Sequence, residues 1–225
     1  MYNKIKEFFK IKIRKEGKVT LPKDVLFFMS KRAIFIHIPK TAGISIYQAL
    51  FGRGSFDHKR LVYYKELMPK EDFDNSYKFS FVRNPYDRLA SAFFYLKKGG
   101  RQEDIDLHYQ SLISSCENFN DFVLNWLNTD TMNQVNHFKT QTHFLVNNEN
   151  EIILDFIGKF ESLNEDYVKI PNYLKNEENI PVLNSNKSKN IINYSEWPRE
   201  VILKINELYK EDFENLNYSM ITYEF

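Results

Sequence analysis

The 225-residue chain is 43% hydrophobic and 27% charged, a composition typical of a globular protein long enough to bury a sizeable core. Its 31 basic and 30 acidic residues leave a net charge of only +1, which argues against a general nucleic-acid-binding protein. Cys116 is the only cysteine, so the sequence excludes an intrachain disulfide and a metal cluster held by several cysteines of one chain.

The basic segment 1–30 is expected to be a lead-in to a single domain that covers residues 1–225. It lacks the apolar core of a signal peptide, and no stretch approaches the ~20 apolar residues that cross a bilayer. A solvated segment is the first interpretation, and weak contact with an anionic membrane surface is the alternative. We therefore expect a cytoplasmic protein without a transmembrane segment.

The first predicted unit is a strand, a tight turn and a helix. Residues 33–38 (AIFIHI) form a short apolar run with several β-branched side chains, which predicts a buried strand. Pro39 ends that run. Residues 44–51 then carry apolar side chains at helical spacing, and Gly52 would end the helix.

A second strand and helix follow. Residues 78–82 (KFSFV) predict another buried strand. Asn84 suits the N-cap of the next helix, and Pro85 suits its first helical position. Gly99 and Gly100 would end this helix.

The remaining elements indicate an α/β fold. A third strand is predicted at residues 152–157, a helix from about Leu163, and a last helix over residues 198–213. Strands alternating with helices predict a mainly parallel sheet. Residues 101–150 form a polar excursion with one helical patch at 119–127, and are either a substrate-contacting segment or a surface insertion without a role.

The first turn has the chemistry of an anion site. A helix start offers unpaired backbone N–H groups and a partial positive charge, which suits phosphate or sulfate. Lys40 adds a cation, and Thr41 and Ser45 add hydroxyl donors. Gly43 would let a ligand approach the backbone closely. An ordinary turn capped by Thr41 is the alternative, and the absence of a Walker A pattern disfavours an ATPase or GTPase.

The second turn predicts another anion site. Arg83 ends a predicted strand and Ser91 lies on the following helix. A guanidinium binds two phosphate oxygens at once, and open parallel sheets bind ligands beyond the carboxyl ends of their strands. Arg88 has two interpretations, a solvated helix charge paired with an acid such as Asp87, or support for the anion site.

Together, FIHIPKTAGISI and FSFVRNPYDRLASAFFYL resemble the two cofactor motifs of the PAPS-dependent sulfotransferases (PAPS is 3′-phosphoadenosine-5′-phosphosulfate). The resemblance is closest to the carbohydrate branch, with heparan sulfate 2-O and HNK-1-type enzymes and many bacterial members. Weaker similarity continues through TQTHFLVNNENEIILDFIGKFESLNEDY, VLNSNKSKN and YKEDFENLNY, so it covers roughly residues 34–218. Ile44 stands where the family commonly has Thr, which removes one hydroxyl from the phosphate site.

The resemblance implies a P-loop-like three-layer fold, a central mainly parallel sheet flanked by helices, and no metal. It implies in-line transfer of a sulfuryl group from PAPS to a hydroxyl of a carbohydrate, either a polysaccharide or a glycolipid, with Lys40 stabilising the leaving oxygen. The implied ligands of the 5′-phosphosulfate are Lys40, Thr41, Ala42, Gly43 and Ser45. Those of the 3′-phosphate are Arg83 and Ser91, and Lys187 and Ser188 would close over the nucleotide.

His58 is the predicted general base. The family usually places this base between the two motifs, and His58 is the only histidine there beyond the first helix. His37, inside the first strand, is expected to be structural. The other histidines, His108, His137 and His143, lie in the polar excursion, where their spacing does not predict a metal site.

Several alternatives stay open on the sequence alone. Asp57 and Glu66 are the carboxylates that could replace His58 as base. Lys59 is expected to be solvated, whereas Arg60 either orients an acidic acceptor or is solvated. A P-loop small-molecule kinase and a non-catalytic nucleotide-binding relative are the alternative functions. The sequence does not predict an oligomeric state.

Overall fold

The computed structural model describes residues 20–175 and 194–223. Three strands are present there, β1 (Ala33–Ile36), β2 (Tyr77–Val82) and β3 (Phe156–Lys159). The helices are α1 (Lys23–Lys31), α2 (Gly43–Phe51), α3 (Leu61–Leu67), α4 (Lys70–Asn75), α5 (Pro85–Lys97), α6 (Asp104–Leu112), α7 (Phe119–Asp121), α8 (Thr129–Gln134), α9 (Thr142–Leu145), α10 (Leu163–Tyr167), α11 (Arg199–Leu208) and α12 (Lys210–Asn215). A π-helical turn, Phe122–Trp126, continues α7.

The sheet is parallel, in the order β1-β2-β3, with β2 in the middle. All four residues of β1 are buried, as are five of the six in β2, which is the burial expected of a sheet covered by helices. The hydroxyl of Ser80 on β2 donates a hydrogen bond to the carbonyl of Ile36 on β1, 2.7 Å away. The predicted α/β fold, with a parallel sheet flanked by helices, is confirmed.

The first two strand–turn–helix units lie where the sequence predicts them. The helix after β1 runs from Gly43 and ends before Gly52, as expected. Asn84 caps α5, because its side-chain oxygen accepts a hydrogen bond from the backbone N–H of Tyr86 at 3.0 Å. Gly99 and Gly100, both with positive φ, follow the end of α5 at Lys97.

Two later predictions need correction. The third strand lies at Phe156–Lys159 rather than 152–157, because Ile152 forms an isolated antiparallel bridge with Val146 and β2 decides the register of β3. The last helix is two helices, α11 and α12, separated at Tyr209. That side chain is fully buried and donates from its hydroxyl to the carbonyl of Phe138, so the apolar stripe continues across the break.

The polar excursion is more regular and more buried than expected. Residues 101–150 contain four helices, α6 to α9, instead of one helical patch. The apolar side chains of α6 to α8 pack with α5 and α11 in one hydrophobic core, in which Phe122 and Phe138 are fully buried, whereas those of α9 pack in the core around the sheet. Each such side chain contributes about 1.5–3 kcal/mol by leaving water. The segment is therefore part of the folded core and not a surface insertion.

None of the helices in the described part of the chain combines the length and the apolar character that a membrane crossing requires.

Candidate active site

A cavity of about 490 Å³ lies at the carboxyl end of β1. One wall is the turn that leads into α2, together with His58. The opposite wall comes from α5 and from the segment that follows it, including Tyr95, Asp106 and His137. The sheet thus presents its first turn to a concave site, as open parallel sheets commonly do.

The turn before α2 has an unusual backbone. Lys40 and Ala42 have φ of 70° and 65°, values that non-glycine residues rarely adopt. Ala42 is the N-cap of α2 and no side chain caps the helix. The hydroxyl of Thr41 instead donates to the carbonyl of Ile38 at 3.0 Å and is buried away from the cavity. The turn is therefore not an ordinary one capped by Thr41, and a ligand would find free N–H groups at the helix start.

The ammonium of Lys40 lies in the cavity without an ion-pair partner among the described residues. Its Nζ lies 3.9 Å from the ring centroid of Tyr95. Burial lowers the pKa of Lys40 to about 8, helped by repulsion from Arg83 and Arg101 and opposed by Asp106. A bound anion would stabilise the charged form of this half-buried ammonium.

Gly43 has a packing role that the sequence did not suggest. A Cβ atom at this position would lie 1.8 Å from Cδ2 of His37, far inside contact distance. The glycine thus lets α2 begin directly against the buried ring of His37. Ser45, in the first turn of α2, is exposed and lines the same cavity.

His58 is held in the tautomer that a general base needs. Its Nδ1 lies 2.9 Å from the backbone carbonyl of His37, and because a carbonyl only accepts, Nδ1 carries the proton. The lone pair of Nε2 is then available for proton transfer. Burial lowers the pKa of His58 below its ordinary value, against the opposing effects of the His37 carbonyl and Asp57, so the ring is neutral near pH 7.

Arg83, at the end of β2, has its backbone fixed, and its guanidinium forms no ion pair with any described residue. Its N–H and C=O both bond the side chain of Gln141, each at 2.8 Å. The guanidinium carbon lies 4.3 Å from the ring centroid of Phe160, and Nε is buried without a partner among the described residues. Burial lowers the pKa of Arg83, while Asp87 and Glu161 oppose that shift.

The model of the sulfotransferase family matches residues 23–219, which is most of the chain and includes both turns. The chain belongs to the sulfotransferase family. No curated protein and no solved structure matches it. Membership in this family implies PAPS as the sulfuryl donor, and the unpaired cations Lys40 and Arg83 fit an anionic nucleotide.

The predicted ligands of this sulfotransferase are not all in one cavity. Lys40, Ala42, Gly43 and Ser45 line the cavity of His58, whereas Arg83 and half-buried Ser91 lie outside its wall. Arg83 is nevertheless close enough to Lys40 to lower its pKa by repulsion. Lys187 and Ser188 lie outside the described residues, so their role stays a prediction.

The alternative bases are less well placed. Asp57 is exposed and its carboxylate pairs with Lys59 at 3.2 Å, so Lys59 is ion-paired instead of simply solvated. Glu66 is exposed on α3 and does not line the cavity. Arg60 donates from Nε to the carbonyl of His143 at 2.8 Å and lines a separate cavity of about 400 Å³. This places its guanidinium away from an acceptor bound at His58.

Arg88 is not a solvated helix charge. Its side chain is fully buried and donates to the backbone carbonyls of His137, at 3.2 Å, and Lys139. Buried Asp212 lies near Arg88 and accepts two backbone N–H bonds at 2.8 Å; burial raises the pKa of its carboxyl, and the charge of Arg88 opposes that rise. Arg88 therefore supports the site indirectly, by fixing the backbone that carries His137.

Sequence reasoning missed the opposite wall of the cavity. The hydroxyl of Tyr95 donates to Asp106 at 2.8 Å, and the same carboxylate accepts the backbone N–H of Arg101 at 2.8 Å. The ring of His137 stacks on Tyr95, with centroids 5.3 Å apart. One signal was present, since Tyr95 lies four residues after Ser91 and so shares its helix face. Within the described ranges, no group of three or more His, Cys, Asp or Glu side chains is arranged to bind a metal.

Proposed function

We propose that this sulfotransferase transfers the sulfuryl group of PAPS to a hydroxyl of a carbohydrate by in-line displacement. The proposal depends on one observation: an unpaired Lys40 ammonium and the free Nε2 of His58 line the same cavity. The ammonium suits stabilisation of the departing phosphate oxygen, and Nε2 suits removal of the proton from the attacking hydroxyl.

The donor side of the site stabilises negative charge. As the sulfur–oxygen bond to the phosphate breaks, charge grows on the leaving oxygen, which Lys40 and the N–H groups at the start of α2 are placed to stabilise. Such preorganised donors contribute about 10²–10³-fold to a rate. The guanidinium of Arg83 and the hydroxyl of Ser91 would hold the 3′-phosphate, which anchors the other end of the nucleotide.

The acceptor side removes a proton. His58 takes the hydroxyl proton on Nε2 while the carbonyl of His37 keeps the ring oriented through Nδ1. Tyr95 and Tyr109 line the cavity beside polar groups, a lining that is compatible with a sugar acceptor. The surrounding charges are mixed, because Lys59 and Arg101 are each paired with an acid, at 3.2 and 3.8 Å.

Two measurements test the proposal. The unfolding temperature should rise more with 3′,5′-ADP than with ATP and Mg²⁺. The reason is that the site lacks a Walker A sequence and is expected to hold two separate phosphates. Radiolabelled PAPS is then offered with heparosan, chondroitin, maltotetraose and lactosylceramide, and sulfated product and released 3′,5′-ADP are measured.

The outcomes separate the alternative functions. Transfer to any of the four acceptors supports the proposal. A larger thermal shift with ATP and Mg²⁺ would instead favour a small-molecule kinase. Tight binding of 3′,5′-ADP with no transfer and no release of 3′,5′-ADP from PAPS would indicate a non-catalytic relative.

A further inference from the structure

His137 lies between the two groups to which the proposed reaction assigns chemistry. The residue is only 8% exposed, yet it lines the cavity. The ring centroid lies 5.9 Å from that of His58 and 5.3 Å from that of Tyr95, the ring that carries the ammonium of Lys40. Tyr95 and His137 therefore link Lys40 to His58 through a series of neighbouring side chains around the cavity.

The hydrogen bonds of the His137 ring are unfilled. In the described part of the chain neither ring nitrogen has a partner, and Nδ1 is fully buried. A buried N–H without an acceptor costs more free energy than a buried lone pair without a donor. Because Nδ1 is the buried nitrogen, we assign the proton of His137 to Nε2. Burial and repulsion from His58 lower the pKa of His137 to about 3, and Asp106 opposes this shift. The ring therefore stays neutral near pH 7.

The position of His137 is determined by its backbone and not by polar contacts of its ring. Its carbonyl accepts a hydrogen bond from buried Arg88 at 3.2 Å. The next carbonyl, that of Phe138, accepts from the hydroxyl of Tyr209 at 2.5 Å, and the Phe138 side chain is fully buried. The core thus presents the imidazole to the cavity while leaving its donor unused.

The two imidazoles have complementary roles. His58 presents a lone pair to the cavity, because its Nδ1 proton is committed to the His37 carbonyl. His137 presents an N–H donor. A group that passes from the oxygen near Lys40 to an oxygen near His58 would move beside this donor, and its oxygens carry negative charge throughout.

We propose that His137 donates a hydrogen bond from Nε2 to an oxygen of the sulfuryl group during transfer. This inference rests on the proposed function. The sulfur–oxygen bond to the phosphate breaks, the bond to the acceptor oxygen forms, and the acceptor proton moves to Nε2 of His58. His137 keeps its own proton, and acts as a catalytic residue by stabilising the group in transit.

Two variants separate the effect of the His137 N–H donor from the effect of its aromatic ring. His137→Phe keeps an aromatic ring against Tyr95 but has no N–H, and we expect it to lower kcat about 10²-fold. His137→Gln loses the ring but places an amide N–H near the position of Nε2, so part of the activity, about tenfold over the Phe variant, should return. Rates are measured as 3′,5′-ADP released from PAPS with the fastest of the four acceptors named above.

Affinity and stability provide the controls. Calorimetric binding of 3′,5′-ADP and the unfolding temperature should stay near wild type in His137→Phe, whereas a purely structural residue would change both. His108→Phe, an exposed histidine on α6 outside the cavity, should change none of the measurements.

Three results would overturn the inference. Wild-type kcat in His137→Phe would remove His137 from the chemistry while leaving the proposed function intact. Equal losses in the Phe and Gln variants, together with weakened 3′,5′-ADP binding, would make the residue structural. If the wild-type chain releases no 3′,5′-ADP with any acceptor, the proposed function fails and this inference fails with it.

Discussion

The two strand-to-helix turns of this sulfotransferase, which we propose to hold the two ends of one nucleotide, differ in the parts of the chain that they offer to a ligand. In the turn after β1, Lys40 and Ala42 have positive φ and no side chain caps α2, so the main chain remains available. In the turn after β2, Asn84 caps α5 and both backbone groups of Arg83 bond Gln141. The first turn therefore offers backbone donors and a cation, whereas the second offers only a guanidinium. The first should be sensitive to backbone changes and the second to side-chain changes.

The largest effect should come from His58, which the first turn orients through the carbonyl of His37. We expect His58→Ala to lower kcat about 10²–10⁴-fold, because the acceptor loses its general base. Affinity for 3′,5′-ADP, measured by calorimetry, should remain nearly unchanged. His108→Ala is the matched control, and wild-type kcat in His58→Ala would remove this residue from the mechanism.

Arg83→Ala tests the side-chain half of the comparison. Charge-assisted hydrogen bonds are worth about 1.5–3 kcal/mol, so 3′,5′-ADP should bind about 10- to 10²-fold more weakly. Arg83→Lys should restore only part of this affinity, because an ammonium cannot bind two phosphate oxygens as a planar fork does. Normal binding by the alanine variant would show that the second turn does not hold the nucleotide.

Gly43→Ala tests whether the first turn is sensitive to a change in its backbone. The added Cβ would lie 1.8 Å from the ring of His37, so the turn or the ring must move, at a cost of about 1–3 kcal/mol in the free energy of unfolding. Urea denaturation measures that cost. Gly54→Ala is the control, since a Cβ there meets no atom within 4 Å. Equal stability of the two variants would contradict the close packing of α2 on His37.

The last expected effect requires no substitution and is the pH dependence of donor capture. Lys40, with its pKa lowered to about 8, loses its proton above that pH and with it the attraction for the anion. Hence kcat/KM for PAPS should fall above pH 8, by about tenfold per pH unit. Lys40→Arg stays charged and should abolish this alkaline fall. A wild-type profile that is flat up to pH 10 would show that the Lys40 charge does not govern capture.

Much of the donor side of the site was predictable from the sequence. The strand, turn and helix around Lys40, the N-cap at Asn84 and the position of Arg83 at a strand end depend on residues close together in the chain. The opposite wall was not predictable. In residues 101–150 the apolar side chains are divided among four helices and a π-helical turn, so no stretch is long enough to show a helical period. The single domain, the cytoplasmic location and the bacterial origin stay predictions.

By itself, the sequence determined the local units and their chemistry: two parallel strands that each deliver a cation to a helix start, and a histidine between them. Only the tertiary structure decided which nitrogen of His58 is free, that Arg88 is buried, and that His137 reaches the cavity. The physical reason is separation along the chain. The bond from His58 to His37 joins residues 21 apart, and the bond from Arg88 to His137 joins residues 49 apart. Local propensity and hydrophobic period do not report contacts of that range.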